Sequence, residues 1–275
     1  VMTITTHHIA DPSKGISITC NLDLLDLWDK GLSGRKRVFG VSHPEFLLYA
    51  NRYVLWMMAH DGHGYALDLA EEALSAGYEV RLITRSQSEI PESIKVYERY
   101  VLSDTNGTTL DYALQGCENL VIATGARPSI DLTGPAKVDY LNIKKQIESC
   151  KRQKLKRIVL VSSLCAGKLI HPLNLFGLIL IWKRLGERSL QRSGLDWTVI
   201  RPGGLNENET NLKNQNILFS GEKTQEEGSI PRRLVAKACI EALKTKDSIE
   251  KIIEITSSEE NPKTNMSKAI KTFSI

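Results

Sequence analysis

Glu79-Val80-Arg81-Leu82-Ile83-Thr84-Arg85 is a short run of extended-chain formers, entered through Ala76-Gly77-Tyr78 at the end of a helix-period segment, Gly64 to Ser75. Helix, glycine and then strand is the closing half of a βαβ unit, and its opening strand is expected near Tyr53 to Met58. The alternation continues with strands near Tyr78 to Thr84, Lys95 to Val101, Asn119 to Thr124, Arg157 to Ser163, Trp197 to Arg201 and Lys251 to Thr256. Between them, helices are expected over Thr109 to Leu114, Ala136 to Arg152, Leu178 to Arg192 and Pro231 to Lys244, the last with Ser229 as its cap and Pro231 at its first position. The strands are short apolar runs rich in Val and Ile that alternate with longer helix-period segments, as in repeated βαβ units whose sheet is covered on both faces, so the chain reads as α/β with a doubly wound parallel sheet.

Residues 53–275 therefore read as one Rossmann-type domain. Residues 1–52 read as an N-terminal extension: Leu22, Leu24, Leu25, Leu27 and Trp28 form one apolar cluster, and the rest has no sustained period. This extension is an arm lying on the domain, a functional addition, or sequence upstream of the true first strand.

The 275 residues, 41% hydrophobic and 25% charged, suffice for one large core. A net charge of +4, with cations interspersed among 32 acidic residues and no run of five like charges, does not indicate nucleic acid. Cys20, Cys117, Cys150, Cys165 and Cys239 are scattered without CxxC spacing and odd in number, which argues against a disulfide framework or a metal site and fits a reducing compartment. No signal-type opening and no apolar stretch near the ~20 residues of a membrane span are present, so the chain reads as soluble, with no transmembrane segment.

In a nucleotide-binding βαβ unit, glycines at the first strand-to-helix turn admit a diphosphate to the helix N-terminus. A GxxGxxG frame here falls on Met58, Asp61 and Gly64, of which only Gly64 matches, although Gly62 could shift the loop. Met58 puts a long side chain at a tight turn, and Asp61 puts a carboxylate where phosphate oxygens belong. Arg85, at the end of the second strand, suits either a ribose 2′-phosphate, which favours NADP, or simple solvation. Ala123-Thr124-Gly125-Ala126 after the fourth strand offers small residues against which adenosine or ribose could lie.

Ordinary short-chain dehydrogenases use a serine after the fifth strand and a Tyr-x-x-x-Lys pair on the next helix. Ser162 and Lys183 stand at the serine and lysine positions, and Ile179 replaces the tyrosine, leaving no obvious proton donor. Lys183 and Glu187 could equally make a helical i,i+4 ion pair. The run Leu173 to Trp182 is nearly continuous apolar, readable as core packing or as a patch for a partner or membrane surface.

Asp131-Leu132-Thr133-Gly134-Pro135, Val138-Asp139-Tyr140, Leu173-Asn174-Leu175-Phe176, Trp182-Lys183-Arg184 and Ser193-Gly194-Leu195-Asp196-Trp197 continuing to Arg201-Pro202-Gly203-Gly204 together resemble the atypical short-chain dehydrogenase family. The likeness is to the dehydrogenase domain of the chloroplast translocon subunit that tethers ferredoxin:NADP reductase, and to its cyanobacterial and plastid single-domain relatives. It covers about two thirds of the chain and fades above Gly64; a frame error or wrong exon upstream of Gly64 would explain both the fading and the missing glycines.

The resemblance implies an NADP-binding protein of the cyanobacterial cytoplasm or plastid stroma, near the thylakoid surface. By position, Arg85 would meet the 2′-phosphate, and Ala123, Thr124 and Gly125 the adenine side. Ser162 and Lys183 would meet the nicotinamide side, with Arg201, Pro202 and Gly203 at the cofactor's far edge. Two functions follow as expectations. The first is an NADPH-dependent reductase of a small-molecule flavin, quinone or tetrapyrrole; the second is a non-catalytic binding or assembly subunit docked on a photosynthetic membrane protein.

Overall fold

The computed structural model describes residues 53–59, 65–84, 98–101, 108–126, 132–207 and 212–273. The extension over residues 1–52, together with Asp61, Gly62, Gly64 and Arg85, lies outside the described residues.

In chain order the elements begin with β1 (Tyr53–Ala59), α1 (Tyr65–Ser75), β2 (Glu79–Thr84), β3 (Glu98–Val101), α2 (Thr108–Leu114) and β4 (Asn119–Ile122). A π-helical segment (Ala136–Leu141) then runs straight into α3 (Asn142–Arg152), followed by β5 (Arg157–Val161), a 3-10 turn (Pro172–Phe176), α4 (Ile179–Gln191) and β6 (Asp196–Pro202). The chain continues through β7 (Gly204–Asn206), β8 (Asn216–Ser220), β9 (Ser229–Pro231), α5 (Arg232–Lys244), β10 (Lys251–Ser258) and α6 (Met266–Ile270).

Parallel ladders join β1, β2 and β3 in that order, and β4, β5, β6 and β10 in that order. β1 also runs beside β4. The winding reverses there, with β2 and β3 to one side and β5, β6 and β10 to the other, and ligands of such sheets bind beyond the carboxyl ends of the strands at this switch point. Met58 lies within β1, in register with Ile83, and the strand continues to Ala59, so the turn that was expected to contain Met58 starts later.

The expected doubly wound sheet is present, and it carries additions that the periodicity did not announce. β8 pairs antiparallel with β10 at the sheet edge, where its leading residues are only half covered and the run is too short to stand out. Ser229, expected to cap α5, belongs instead to β9 and pairs with Gly204 of β7. Pro231 at ψ 138 is still extended, so the helix starts one residue later and no side chain caps it.

Period-two side-chain placement divides the strands between two cores. Val121 and Val159 face Leu69, Ala73, Leu234 and Val235 of α1 and α5. Their neighbours Leu120, Ile122, Ile158 and Leu160 face Leu110, Leu114, Ile143, Ile147 and Leu190 of α2, α3 and α4. Both faces are therefore apolar, which is why these strands read as unbroken hydrophobic runs.

Two buried arginines terminate helices from inside. The Arg81 guanidinium donates to the Ala113 carbonyl at 3.0 Å and the Gln115 carbonyl at 2.6 Å, at the end of α2. Arg157 donates to the Ala242 carbonyl at 2.9 Å and to Ser248 Oγ at 2.7 Å, at the end of α5. Each cation meets the negative end of a helix, although burial still pulls the pKa of Arg157 down.

Candidate functional site

At the carboxyl ends of β4 and β5 the chain leaves two hydroxyls without partners. Thr124 Oγ1 and Ser162 Oγ are buried and make no hydrogen bond among the described residues. Leaving such a group buried and unpaired costs about 1–3 kcal/mol, so native proteins satisfy it with water or a ligand. Ser162 itself is fixed by its backbone, whose N–H donates to the Ile200 carbonyl at 2.8 Å. Its hydroxyl stands near the Glu187 carboxylate and helps hold that carboxyl ionised, without a hydrogen bond of its own among the described residues.

Next to Thr124, Gly125 is a glycine for a local reason: a Cβ there would sit 3.3 Å from Lys183 Nζ and 3.8 Å from Asp139 Oδ1. Lys183 Nζ donates to Asp139 Oδ1 at 2.9 Å, and Asp139 Oδ2 accepts from the Ala126 N–H at 3.2 Å. Asp139 is fully buried, so this pair is shielded from solvent and its attraction is correspondingly strong.

That contact depends on how closely α4 meets the π-helical segment. Gly186 lies against the Asp139 backbone, where any side chain would run into the Asp139 carbonyl oxygen. A π-helical turn carries an extra residue and re-aims its side chains, and such turns recur at functional sites. Here it aims Asp139 at α4.

Lys183 and Glu187 lie four apart on α4 and so share one face, but they do not pair with each other as the spacing suggested. Glu187 receives the Arg201 guanidinium in a two-pronged contact at 2.9 and 2.8 Å, and Arg184 Nη1 at 2.9 Å. Burial pushes the Glu187 carboxyl up, but the hydrogen bonds and charge of Arg201, aided by Ser162 and Arg184, outweigh it and hold the carboxyl below the ordinary range. Arg201 also reaches Glu222 at 3.1 Å and Glu254 at 3.3 Å. Arg201, expected at the cofactor's far edge, is 2% exposed, and its guanidinium is turned into a cage of carboxylates.

Pro202 and Gly203 follow at the end of β6. Pro202 is in register with Ile255, and its carbonyl accepts from the Leu164 N–H at 2.9 Å. A Cβ on Gly203 would meet the Gly228 carbonyl oxygen at 2.5 Å, so this glycine lets two backbone segments cross.

The structure thus brings Gly125, Ala126 and Lys183 together around Asp139, and ties Ser162 to the Glu187 cluster through α4. Ala123 and Thr124 lead into the same loop. Gly62, Gly64 and Arg85 fall outside the described residues. Asp139 is the site residue that the spacing of motifs missed; an acid whose lysine partner lies 44 residues away leaves no local pattern. Ile179 occupies the position of the tyrosine and is 4% exposed, packed inward at the start of α4.

The apolar run divides at that residue. Ile179 and Leu180 are buried, whereas Leu175 is 80% and Ile170, just upstream, is 96% exposed. Asn174 anchors this loop, donating to the Lys168 and Leu169 carbonyls at 2.8 and 2.9 Å and accepting from the Leu180 N–H at 3.0 Å. Gly177 presses its backbone on that of Leu132. No helix among the described residues is long and apolar enough to cross a membrane.

Known proteins share this architecture. An uncharacterized chloroplastic protein of Arabidopsis thaliana is 32% identical over 71% of this chain and 74% of its own. The chloroplastic protein TIC 62 of Pisum sativum is 32% identical over 58% of this chain and 31% of its own, and sanguinarine reductase of Eschscholzia californica is 28% identical over 66% and 81%. Among solved structures, a short-chain dehydrogenase/reductase of Veillonella parvula in complex with NADP superimposes with a TM-score of 0.57 at 16% identity, covering 78% of this chain and 97% of that one. A family model described as NAD(P)H-binding matches residues 64–246, from the first helix of the sheet to the end of α5, and the chain belongs to that NAD(P)H-binding family.

Proposed function

We propose that the chain is an NADPH-dependent reductase acting on a small conjugated molecule such as a flavin, quinone or tetrapyrrole. The observation that carries this reading is the pair of buried, partnerless hydroxyls, Thr124 Oγ1 and Ser162 Oγ, at the ends of adjacent strands. A dinucleotide lying across the strand ends would supply what they lack, which water-free burial otherwise leaves costly. The family supports the cofactor class; Arg85, at the end of β2 in sequence, supports the phosphorylated form.

When bound, NADPH supplies a hydride. The chain's own part is to bind and orient. Lys183 has three N–H donors and gives one to Asp139, which leaves two for ribose hydroxyls. Ser162 Oγ, which has no hydrogen-bond partner among the described residues, would meet the nicotinamide side. With Ile179 buried where a phenol would stand, the proton that completes reduction comes from bound water or from the substrate itself. The sanguinarine reductase relative supports reduction of a small molecule, and the chloroplastic relatives support a plastid stroma setting.

Titration with NADPH tests this directly. A ligand that binds only the folded state at one hundred times its dissociation constant stabilises it by about 2.7 kcal/mol. Tryptophan fluorescence should quench saturably and Tm should rise. If millimolar NADPH moves neither, the reductase reading fails.

A second reading has its own observation: Leu169, Ile170, Leu175 and Phe176 form an exposed apolar patch on a loop pinned by Asn174. Such a patch suits a binding or assembly subunit docked on a membrane protein of the plastid. Replacing Ile170 and Leu175 with glutamate should then release the protein from plastid membranes. Unchanged fractionation of that variant would remove the docking reading.

A further inference from the structure

We infer that Asp139 is the positioning residue for Lys183, and that it fixes the lysine against the loop after β4 so that its remaining donors face the strand ends; this rests on the NADPH reading above. Three observations converge. Asp139 is fully buried yet bonds outward at both oxygens, one to Lys183 Nζ at 2.9 Å and one to the Ala126 N–H at 3.2 Å. The same carboxylate therefore links α4 to the 123–126 loop. Gly125 gives the ammonium room, since a Cβ would approach Nζ to 3.3 Å. Gly186 brings the two helices close enough for the reach.

A lysine on a four-carbon stem is a mobile point charge, and its side-chain entropy must be spent before it can orient a ligand. With Ile179 at the tyrosine position, no phenol on α4 one turn earlier can hold it. Asp139 does so from the opposite helix, in advance of ligand binding. Preorganisation of this kind reduces the cost of binding rather than adding a contact. Asp139 need not touch the cofactor, and its effect must pass through Lys183.

That dependence makes the inference testable by coupling. In Asp139→Asn the charge is lost and the amide can match only one of the two partners, the Ala126 N–H or the Lys183 ammonium, in its native geometry. NADPH affinity should fall about tenfold, as for loss of one charge-assisted bond, while Lys183→Met falls at least as far. The double variant should bind no worse than Lys183→Met alone. A merely structural aspartate would lower affinity by the same factor in both backgrounds, and that additivity would overturn the inference, as would unchanged affinity in folded Asp139→Asn.

Gly125→Ala provides a route that leaves Asp139 intact: it should weaken NADPH in the native background and do nothing further in Lys183→Met. Equal losses in both overturn the inference. A readout without cofactor separates this inference from the reading on which it rests. Trace acetylation of the ligand-free protein, read by peptide mass, should label Lys183 several-fold faster in Asp139→Asn than in the native chain, with exposed Lys144 as the reference. No NADPH binding by the native protein would remove the reductase reading; equal labelling of Lys183 would remove the role of Asp139.

Discussion

Two buried polar regions lie side by side along α4 and have opposite hydrogen-bond balances. Around Glu187 every charge is answered: Arg201 bridges Glu187, Glu222 and Glu254, and Glu254 in turn accepts from the Lys223, Thr224 and Gln225 amides at 2.8, 2.9 and 2.8 Å. Four residues earlier on the same helix, Lys183 has one carboxylate, and the neighbouring strand ends carry hydroxyls with no partner. Burial alone therefore does not mark the site. A saturated cluster fixes the backbone, here the loop after β8, whereas an unsaturated one beside it holds places open for a ligand.

The sharpest way to break this contrast is to unbalance the saturated side. Glu187→Gln leaves Arg201 buried with its best partner gone, and breaking a buried pair in this way costs about 3–5 kcal/mol. Urea unfolding should show it as a lower midpoint. The pH dependence carries a sign. The Glu187 carboxyl is held below its ordinary value in the folded protein, so its stabilising contribution is complete above the unfolded value, about 4.3, and is lost as pH falls through the lower folded value. The native and Glu187→Gln curves should therefore converge in acid. A gap that stays constant down to pH about 3 would mean that Arg201 does not depend on the charge of Glu187.

A smaller loss should follow from Gly186→Ala. The added methyl group runs into the Asp139 carbonyl oxygen and crowds Ile143 Cδ1 at 2.8 Å, so α4 must move off the π-helical segment. Overpacking of this type costs about 1–3 kcal/mol. Its signature is a loss of NADPH affinity beyond the loss of Tm, because the helix shift separates Lys183 from Asp139. A Tm loss with intact affinity would detach the helix contact from the site.

The sheet was readable from its own chain because each strand's environment is imprinted locally: Leu120-Val121-Ile122 and Ile158-Val159-Leu160-Val161 face two cores and so contain no polar position. The site was only half readable. Ser162, Lys183 and the small residues after β4 follow from position along a βαβ frame. The acid that organises them does not, since Asp139 lies 44 residues from Lys183 and one π-helical turn, invisible to a 3.6-residue period, decides where it points. The spacing of Lys183 and Glu187 suggested a local pair, but Arg201, 14 residues from Glu187 in sequence, offers a planar two-pronged partner that a lysine cannot match. The start of helix α5 shows the same limit, where the ladder between β7 and β9 claims Ser229 from its expected capping role.

The smallest expected change lies on the unsaturated side, and it distinguishes a held-open place from an accident of packing. Thr124→Val is nearly isosteric and removes an orphaned hydroxyl. If that hydroxyl awaits a ligand, the ligand-free protein should keep its stability or gain slightly, up to about 1 kcal/mol, since a buried unsatisfied group is removed and nothing loses a partner. NADPH affinity should nevertheless fall by roughly three- to tenfold, the worth of a neutral hydrogen bond. The opposite signs are the point: substitution within the Glu187 cluster must cost stability in the free protein, whereas substitution at Thr124 must cost it only in the complex. A free protein destabilised by Thr124→Val would show that the hydroxyl already has a partner in solution, such as a bound water, and would move Thr124 from the open side of the contrast to the saturated one.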